Sequence, residues 1–306
     1  MGLRSRWLWV GVAVAVAAWA PVLYWQAAHG WPQLTLAREI RAEYGTPGQR
    51  VGFFALQLVL FSLGATYLWV TGVASLWRDD AWRAYRVLAW AWLVALAVLI
   101  LTAGQGYYPA GIYPVLIAAG AVVAERRGRR WWWALGAVLV SAAHILPATV
   151  PVLSARTLDA SIWSGLGENL RETAGWQPLV DEVAAAYRSV PGQARARAGI
   201  FTSNYGEAGA VDRYGPSRGL PHAWSGQNGY GLWGPPPAGV APVVVVWVVV
   251  VWEDGALSAY FFGRTLFRRL VGPVSNEETQ RTAVFRCTGV IGGWHAAWLK
   301  LRHLSS

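Results

Sequence analysis

Cysteine, lysine and charge are what this 306-residue chain has little of. A single cysteine, Cys287, excludes an intrachain disulfide framework and any multi-cysteine zinc or iron–sulfur site. Charged residues make up 14% of the chain, against about 25% in an ordinary soluble domain. Hydrophobic residues make up 55%, and the mean hydropathy is +0.32. That composition argues against an ordinary cytosolic protein and against a disordered tail. The strand-to-helix segment 202–216 is neither GxGxxG nor a P-loop, and the chain shows no HExxH or paired-carboxylate spacing, no Ser-His-Asp order and no internal repeat. The net charge of +10 does not point to nucleic acid, because in the first half the basic residues sit in short loops between apolar runs.

Those apolar runs divide the chain. The first half contains four long stretches without a charged residue, 7–37, 51–77, 87–124 and 131–155, and residues 1–153 read as a transmembrane helical region. A transmembrane helix needs roughly 20 apolar residues. The third stretch holds two spans, separated by GQGYYPAG at 104–111. The expectation is five spans, at about 7–25, 52–76, 87–103, 110–124 and 131–152. A cleaved signal peptide is a rival reading of the start, weakened because apolar character continues through Tyr24 and Trp25.

Arginine orients the spans. Arg4 and Arg6 precede the first, Arg78, Arg83 and Arg86 follow the second, and ERRGRR (125–130) follows the fourth. The alternate loops are 26–50, where three arginines are offset by Glu39 and Glu43, and 104–109, which has none. The positive-inside rule then predicts a multi-pass protein of the cytoplasmic membrane with a cytoplasmic N-terminus and an extracytoplasmic C-terminal half. Trp7, Trp9, Trp25, Trp31, Trp77, Trp82 and Trp131–Trp133 fall near span ends, where an amphipathic ring is favoured.

Residues 154–306 read as one soluble α/β domain. Leu179, Val183 and Tyr187 share a helical face within 176–189. Residues 197–202 suit a strand and 206–214 a following helix. The Gly- and Pro-rich stretch 214–239 reads mainly as loop. VVVVWVVVVW (243–252) is too short to cross a bilayer and reads as a central strand buried on both faces. Residues 257–267 are expected as a helix and 282–288 as a strand, giving a small, mostly parallel sheet with helices on its faces.

Candidate chemistry concentrates at the outer surface. His144 is the one ionisable residue deep in an apolar run, and is expected to be a neutral histidine bonded to a neighbouring helix. The shortage of intramembrane carboxylates counts against an ion-coupled transporter. His29, in WQAAHGWPQL (25–34), is placed to contact a phosphate or to act as a plain interfacial residue. The helix expected at 33–44 would lie flat on the bilayer. In GQGYYPAGIYP (104–114), Tyr107, Tyr108 and Tyr113 offer hydroxyls at headgroup depth, or form an aromatic belt. In TSNYGEAGAVDRYGP (202–216), Asn204, Tyr205 and Glu207 fall at the carboxyl end of a strand, the usual ligand edge of an α/β sheet; Asn228 follows in the next loop. Each of these also reads as a turn residue. Asn276, Glu277 and Glu278 read as a solvated acidic turn, and Cys287 as a small buried residue.

Taken together, WQAAHGWPQL, GQGYYPAGIYPVLIAAGAVVAERR, FTSNYGEAGAVDRYGP, SGQNGYGLWGPPP, VSNEE, RCTG and WLKLRH resemble the C-terminal half of bacterial family 39 membrane glycosyltransferases, the protein-O-mannosyltransferase and aminoarabinose-transferase type. The resemblance implies an all-α membrane bundle, the C-terminal part of a GT-C type fold, followed by a small extracytoplasmic α/β domain. It implies transfer of a sugar from a polyprenyl-phosphate donor to an acceptor at the outer face of the cytoplasmic membrane. A carboxylate would activate the acceptor, and cationic groups or a divalent metal would steady the departing phosphate. His29, Gln105, Tyr107, Tyr108 and Tyr113 are the expected donor-binding residues.

Gln105 stands where relatives often carry lysine, which replaces a fixed charge by a neutral amide. The family's acidic motif belongs to its N-terminal half, and neither Glu39 nor Glu43 matches it, so no catalytic residue is assigned. The chain is therefore expected to be a fragment, a truncated product or a split partner of a separate N-terminal half. The expected partners are the lipid bilayer and a polyprenyl-phosphate sugar, without nucleic acid. The alternative is a non-enzymatic membrane protein whose external α/β domain binds a sugar or a partner.

Overall fold

The computed structural model describes residues 6–104, 106–128, 130–161, 170, 172–248, 255–270 and 282–304. Gln105, the end of the valine-rich run (249–252) and the acidic turn at 276–278 lie outside the described residues. The chain forms two compact units, Met1–Val59 with Trp69–Val123, and Leu60–Leu68 with Ala124–Ser306.

The N-terminal helices are α1 (Arg6–Ala28), α2 (Pro32–Tyr44), α3 (Pro47–Val59), α4 (Leu63–Arg78), α5 (Arg86–Thr102), α6 (Tyr113–Arg126) and α7 (Trp131–Thr149). Among the described residues, three helical segments are long and apolar enough to cross a membrane: Trp9–Ala28, Asp80–Thr102 and Tyr108–Arg126. In α1, only 6% of the apolar window is buried against protein. A helix that is apolar all round and uncovered needs an apolar surrounding, which lipid provides.

The expected count of five spans is not reached. Residues 52–76 are two helices, α3 and α4, bent by 104° at their junction; counted as one broken span they bring the total to four. Ser62 explains the break. Its Oγ accepts from the Ala65 N–H (3.3 Å), so Ser62 caps α4 instead of continuing α3. The same hydroxyl donates to the Ala137 carbonyl of α7 (2.9 Å), and the Ser62 N–H donates to Ser141 Oγ (2.7 Å). The apolar part of α7, Trp131–Pro147, is shorter than the other spans and ends at a proline inside the helix.

Close packing in the first unit rests on glycine. A Cβ at Gly72 of α4 would collide with the Leu116 carbonyl of α6, so only glycine allows the two backbones this approach. Small residues at helix crossings serve this purpose in apolar solvents.

The second unit carries helix α8 (Trp176–Arg188), strand β1 (Gly199–Thr202), α9 (Tyr205–Tyr214), β2 (Ala223–Ser225), α10 (Asn228–Leu232), β3 (Val243–Val248), β4 (Phe261–Phe262), β5 (Thr265–Arg269), β6 (Thr282–Cys287), β7 (Gly289–Val290) and α11 (Gly293–Leu301). The main sheet runs β2-β1-β3-β6-β5. Strand β3 is central, as expected. Val244 and Val246 face a core built with Leu179, Val183, Ile200 and Val211, while Val243 and Val245 face Phe201, Phe261, Trp294 and Trp298. Helices α8 and α9 cover the first face and α11 the second, so β3 is buried on both sides.

Two expectations are corrected here. The sheet is mixed: β2, β1 and β3 are parallel, while β6 pairs antiparallel with both β3 and β5. Residues 257–267 are not a helix. A single helical turn, Gly255–Ser258, gives way to β4 and β5. Gly263 breaks the run at φ +60, and the aromatic and β-branched content of YFFGRTLF suits pleated pairing. The loop 214–239 also contains a strand, β2, and the one-turn helix α10.

Candidate functional site

In the first unit the tyrosine segment is held by a buried glutamine. Gln57 of α3 is 4% exposed. Its Nε2 donates to the Phe53 carbonyl (3.0 Å) and to the Gly106 carbonyl (2.5 Å). Its Oε1 accepts from the Tyr113 hydroxyl (2.6 Å) at the start of α6. Inside an apolar bundle each of these bonds replaces an otherwise unsatisfied polar group, so the cluster fixes the backbone it touches. The fixed piece is the turn between Gly106 and Tyr113, a short 3-10 helix over Tyr108–Ile112.

The expected residues of this turn separate into two roles. Tyr113 is buried and bonded to Gln57, beside Trp69 (ring centroids 5.5 Å apart), so it supports the turn. Tyr107 and Tyr108 are exposed and packed edge to face at 5.1 Å. His29 is exposed at the corner between α1 and α2; its Nδ1 lies 2.8 Å from the Trp25 carbonyl and its ring stacks on Trp25 at 4.4 Å. That corner is built by buried Gln26, whose main-chain carbonyl accepts from the Trp31 N–H and whose Oε1 accepts from the Gln33 N–H (3.2 Å). Trp31 takes a left-handed conformation there (φ 58). Neither Gln26 nor the pairing of Gln57 was singled out from sequence. The available signal was a glutamine inside an otherwise apolar stretch. His144 lies on an exposed side of α7.

In the second unit the three parallel strands end on one edge, and polar residues gather there. Asn204 follows β1 and caps α9, its Oδ1 accepting from the Gly206 N–H. Glu207, fully buried, closes a capping box: its Oε2 accepts from the Asn204 N–H (3.1 Å) and the Ser203 hydroxyl (3.3 Å). Its Oε1 accepts from Thr282 Oγ1 (3.3 Å), the first residue of β6. Gln227 Oε1 accepts from the Tyr205 N–H (2.9 Å). The first two N–H groups of α9 therefore point at side chains of the chain itself. Tyr205 has its ring half exposed, and Asn228 opens α10 with φ 51. Asn204 and Glu207 thus come together in one motif, whereas Asn228 belongs to the neighbouring turn, tied to the chain end by its N–H bond to the His303 carbonyl (2.9 Å).

Among the described residues no group of three His, Cys, Asp or Glu side chains is placed to hold a metal ion. No protein family, curated protein or solved structure matches the chain.

Proposed function

We propose that the chain contributes to an integral-membrane glycosyltransferase that moves a sugar from a polyprenyl-phosphate donor to an acceptor at the outer face of the cytoplasmic membrane. The observation that carries this reading is the Gln57–Tyr113–Gly106 cluster. It holds a turn with two outward tyrosines at the end of apolar helices. A polyprenyl-phosphate sugar has the matching division, an apolar tail that belongs among helices and a polar head that belongs at such a turn. In this reading Tyr107 and Tyr108 donate hydrogen bonds to the phosphate or sugar, and Gln57 and Tyr113 keep them in position.

The test is a deletion of the gene in its own host, with membrane lipids read by mass spectrometry. Accumulation of a polyprenyl-phosphate sugar is expected, reversed by the intact gene and not by a Tyr107→Phe, Tyr108→Phe double variant. An unchanged lipid pool on deletion would remove the transferase reading.

One observation favours the second reading, a non-enzymatic membrane protein with a ligand-binding external domain. Glu207, the carboxylate at the sheet edge, is fully buried and engaged by three donors of the chain, which suits architecture better than proton transfer.

A further inference from the structure

Asp212, on the last turns of α9, organises three segments. Its Oδ1 accepts from the Ala223 N–H at the start of β2 (2.9 Å). Its Oδ2 accepts from the Tyr230 hydroxyl of α10 (2.8 Å) and lies 2.9 Å from His222 Nδ1. Burial, and then the bond to Asp212, push the Tyr230 hydroxyl well above the ordinary tyrosine range, so it stays a donor. With Nδ1 held beside the carboxylate, the imidazole of His222 is fixed in orientation, and its side chain is 48% exposed.

Aromatic rings surround that imidazole. His222 lies nearly parallel to Tyr230 (13°, centroids 6.2 Å) and edge-on to Trp224 (5.4 Å). Trp233 packs on Tyr230 at 4.5 Å and lies 6.3 Å from His222. Trp233 nonetheless remains 69% exposed. A tryptophan held by neighbours and still open to solvent gains little for folding from its outer face.

The chemistry selects a ligand. The apolar C–H face of a pyranose ring stacks on an indole, and its hydroxyls need a directed partner beside that ring, which an oriented imidazole supplies. An anion is disfavoured by the Asp212 carboxylate beneath the site. An ammonium ion would call for a carboxylate turned outward, and Asp212 is turned inward onto three donors.

We propose that His222, Tyr230 and Trp233 form a binding site for a pyranose ring of a neutral glycan, with Asp212 as the positioning residue for His222. The site needs only the folded sheet domain and no lipid-linked donor, so it stands or falls separately from the transferase reading.

The test uses the full chain in a detergent without a sugar headgroup. Hexamers of β-1,4-linked glucose, β-1,4-linked N-acetylglucosamine and mannose serve as probes, read by saturation-transfer NMR and tryptophan fluorescence. At least one hexamer is expected to bind. Trp233→Ala should weaken it by about tenfold or more, the scale of losing one central aromatic contact, with an unchanged melting curve. Trp233→Phe should retain part of the binding. Asp212→Asn should weaken binding and move its pH profile, which a purely structural role for Asp212 would leave in place. Absence of binding by all three hexamers at millimolar concentration overturns the proposal, as does binding unaffected by Trp233→Ala. A smaller brominated-lipid quenching in the Trp233→Ala protein than in wild type, both in nanodiscs, also overturns it, because the ring would then belong to the bilayer surface.

Discussion

The two regions of this protein treat apolar side chains in opposite ways. Along α1, Trp7, Val14 and Trp19 are each more than half exposed, while in β3 Val244, Val245 and Val246 are wholly buried. Both stretches are valine-rich and nearly charge-free, so composition alone does not separate them. Length and surroundings do. Twenty residues of helix are long and apolar enough to cross a bilayer, where side chains left uncovered by protein meet lipid. Six residues of β3 pair with β1 and β6 and are roofed on both faces by helices. The same chemistry is satisfied by lipid in one region and by the chain itself in the other.

Substitutions that change only shape can break this comparison. The largest effect is expected at Gly72, where a side chain would meet the Leu116 carbonyl. Gly72→Val should cost about 3 kcal/mol, because backbone must move to admit it. Gly11→Val on α1 should be nearly silent, since nothing lies within 4 Å of that position. Thermal unfolding in micelles distinguishes the two, and equal losses would mean that α4 and α6 do not depend on close approach. Next comes the valine pair. Val245→Ala should lower stability by about 2 kcal/mol through a cavity in the sheet core. Val14→Ala removes the same atoms from a face that touches no protein core and should stay within about 0.5 kcal/mol. A comparable loss at both positions would show that α1 is packed in the working protein.

Sequence reasoning reads long-range solvent preference well and local competition poorly. The apolar helices near 7–25, 87–103 and 110–124, the strands at 199–202 and 282–287, the helix at 176–188 and the doubly buried β3 were legible from run length and periodicity. The break at Ser62 was not, since a serine in an apolar run is tolerated inside membrane helices; its capping depends on Ala137 and Ser141, more than seventy residues away. YFFGRTLF shows the opposite failure. Its apolar spacing fits a helix, yet its aromatics and Gly263 favour a strand turn, and β6 supplies the partner edge. At the sheet edge, the position of Asn204 and Glu207 was readable from their place after a strand. Their reciprocal capping was present as an Asn-x-x-Glu spacing that was read for a ligand instead. Gln57 stands as a polar residue in an apolar run, but its meeting with the Gly106 carbonyl, 49 residues away, is set by the fold.

The effect that is smallest at neutral pH, and grows only above it, is also the one that isolates the core of the sheet domain from everything in the membrane. Cys287 ends β6 at 1% exposure, among Phe201, Val243 and Trp294. Burial pushes its thiol from 9.0 up to about 12, with Arg264 opposing only part of the shift. The folded protein therefore holds this proton where the unfolded chain has already released it. Stability from this group is complete below about pH 9 and declines as pH rises toward about 12. Between those limits the unfolding midpoint of the wild-type protein should fall more steeply with pH than that of Cys287→Ala. Iodoacetamide should accordingly label the native thiol far more slowly at pH 9 than the denatured one, because only the thiolate reacts. Parallel pH slopes for the two proteins, with fast native labelling, would place Cys287 at an opening of the sheet domain, and the contrast between a lipid-solvated half and a self-sealed half would no longer hold at β6.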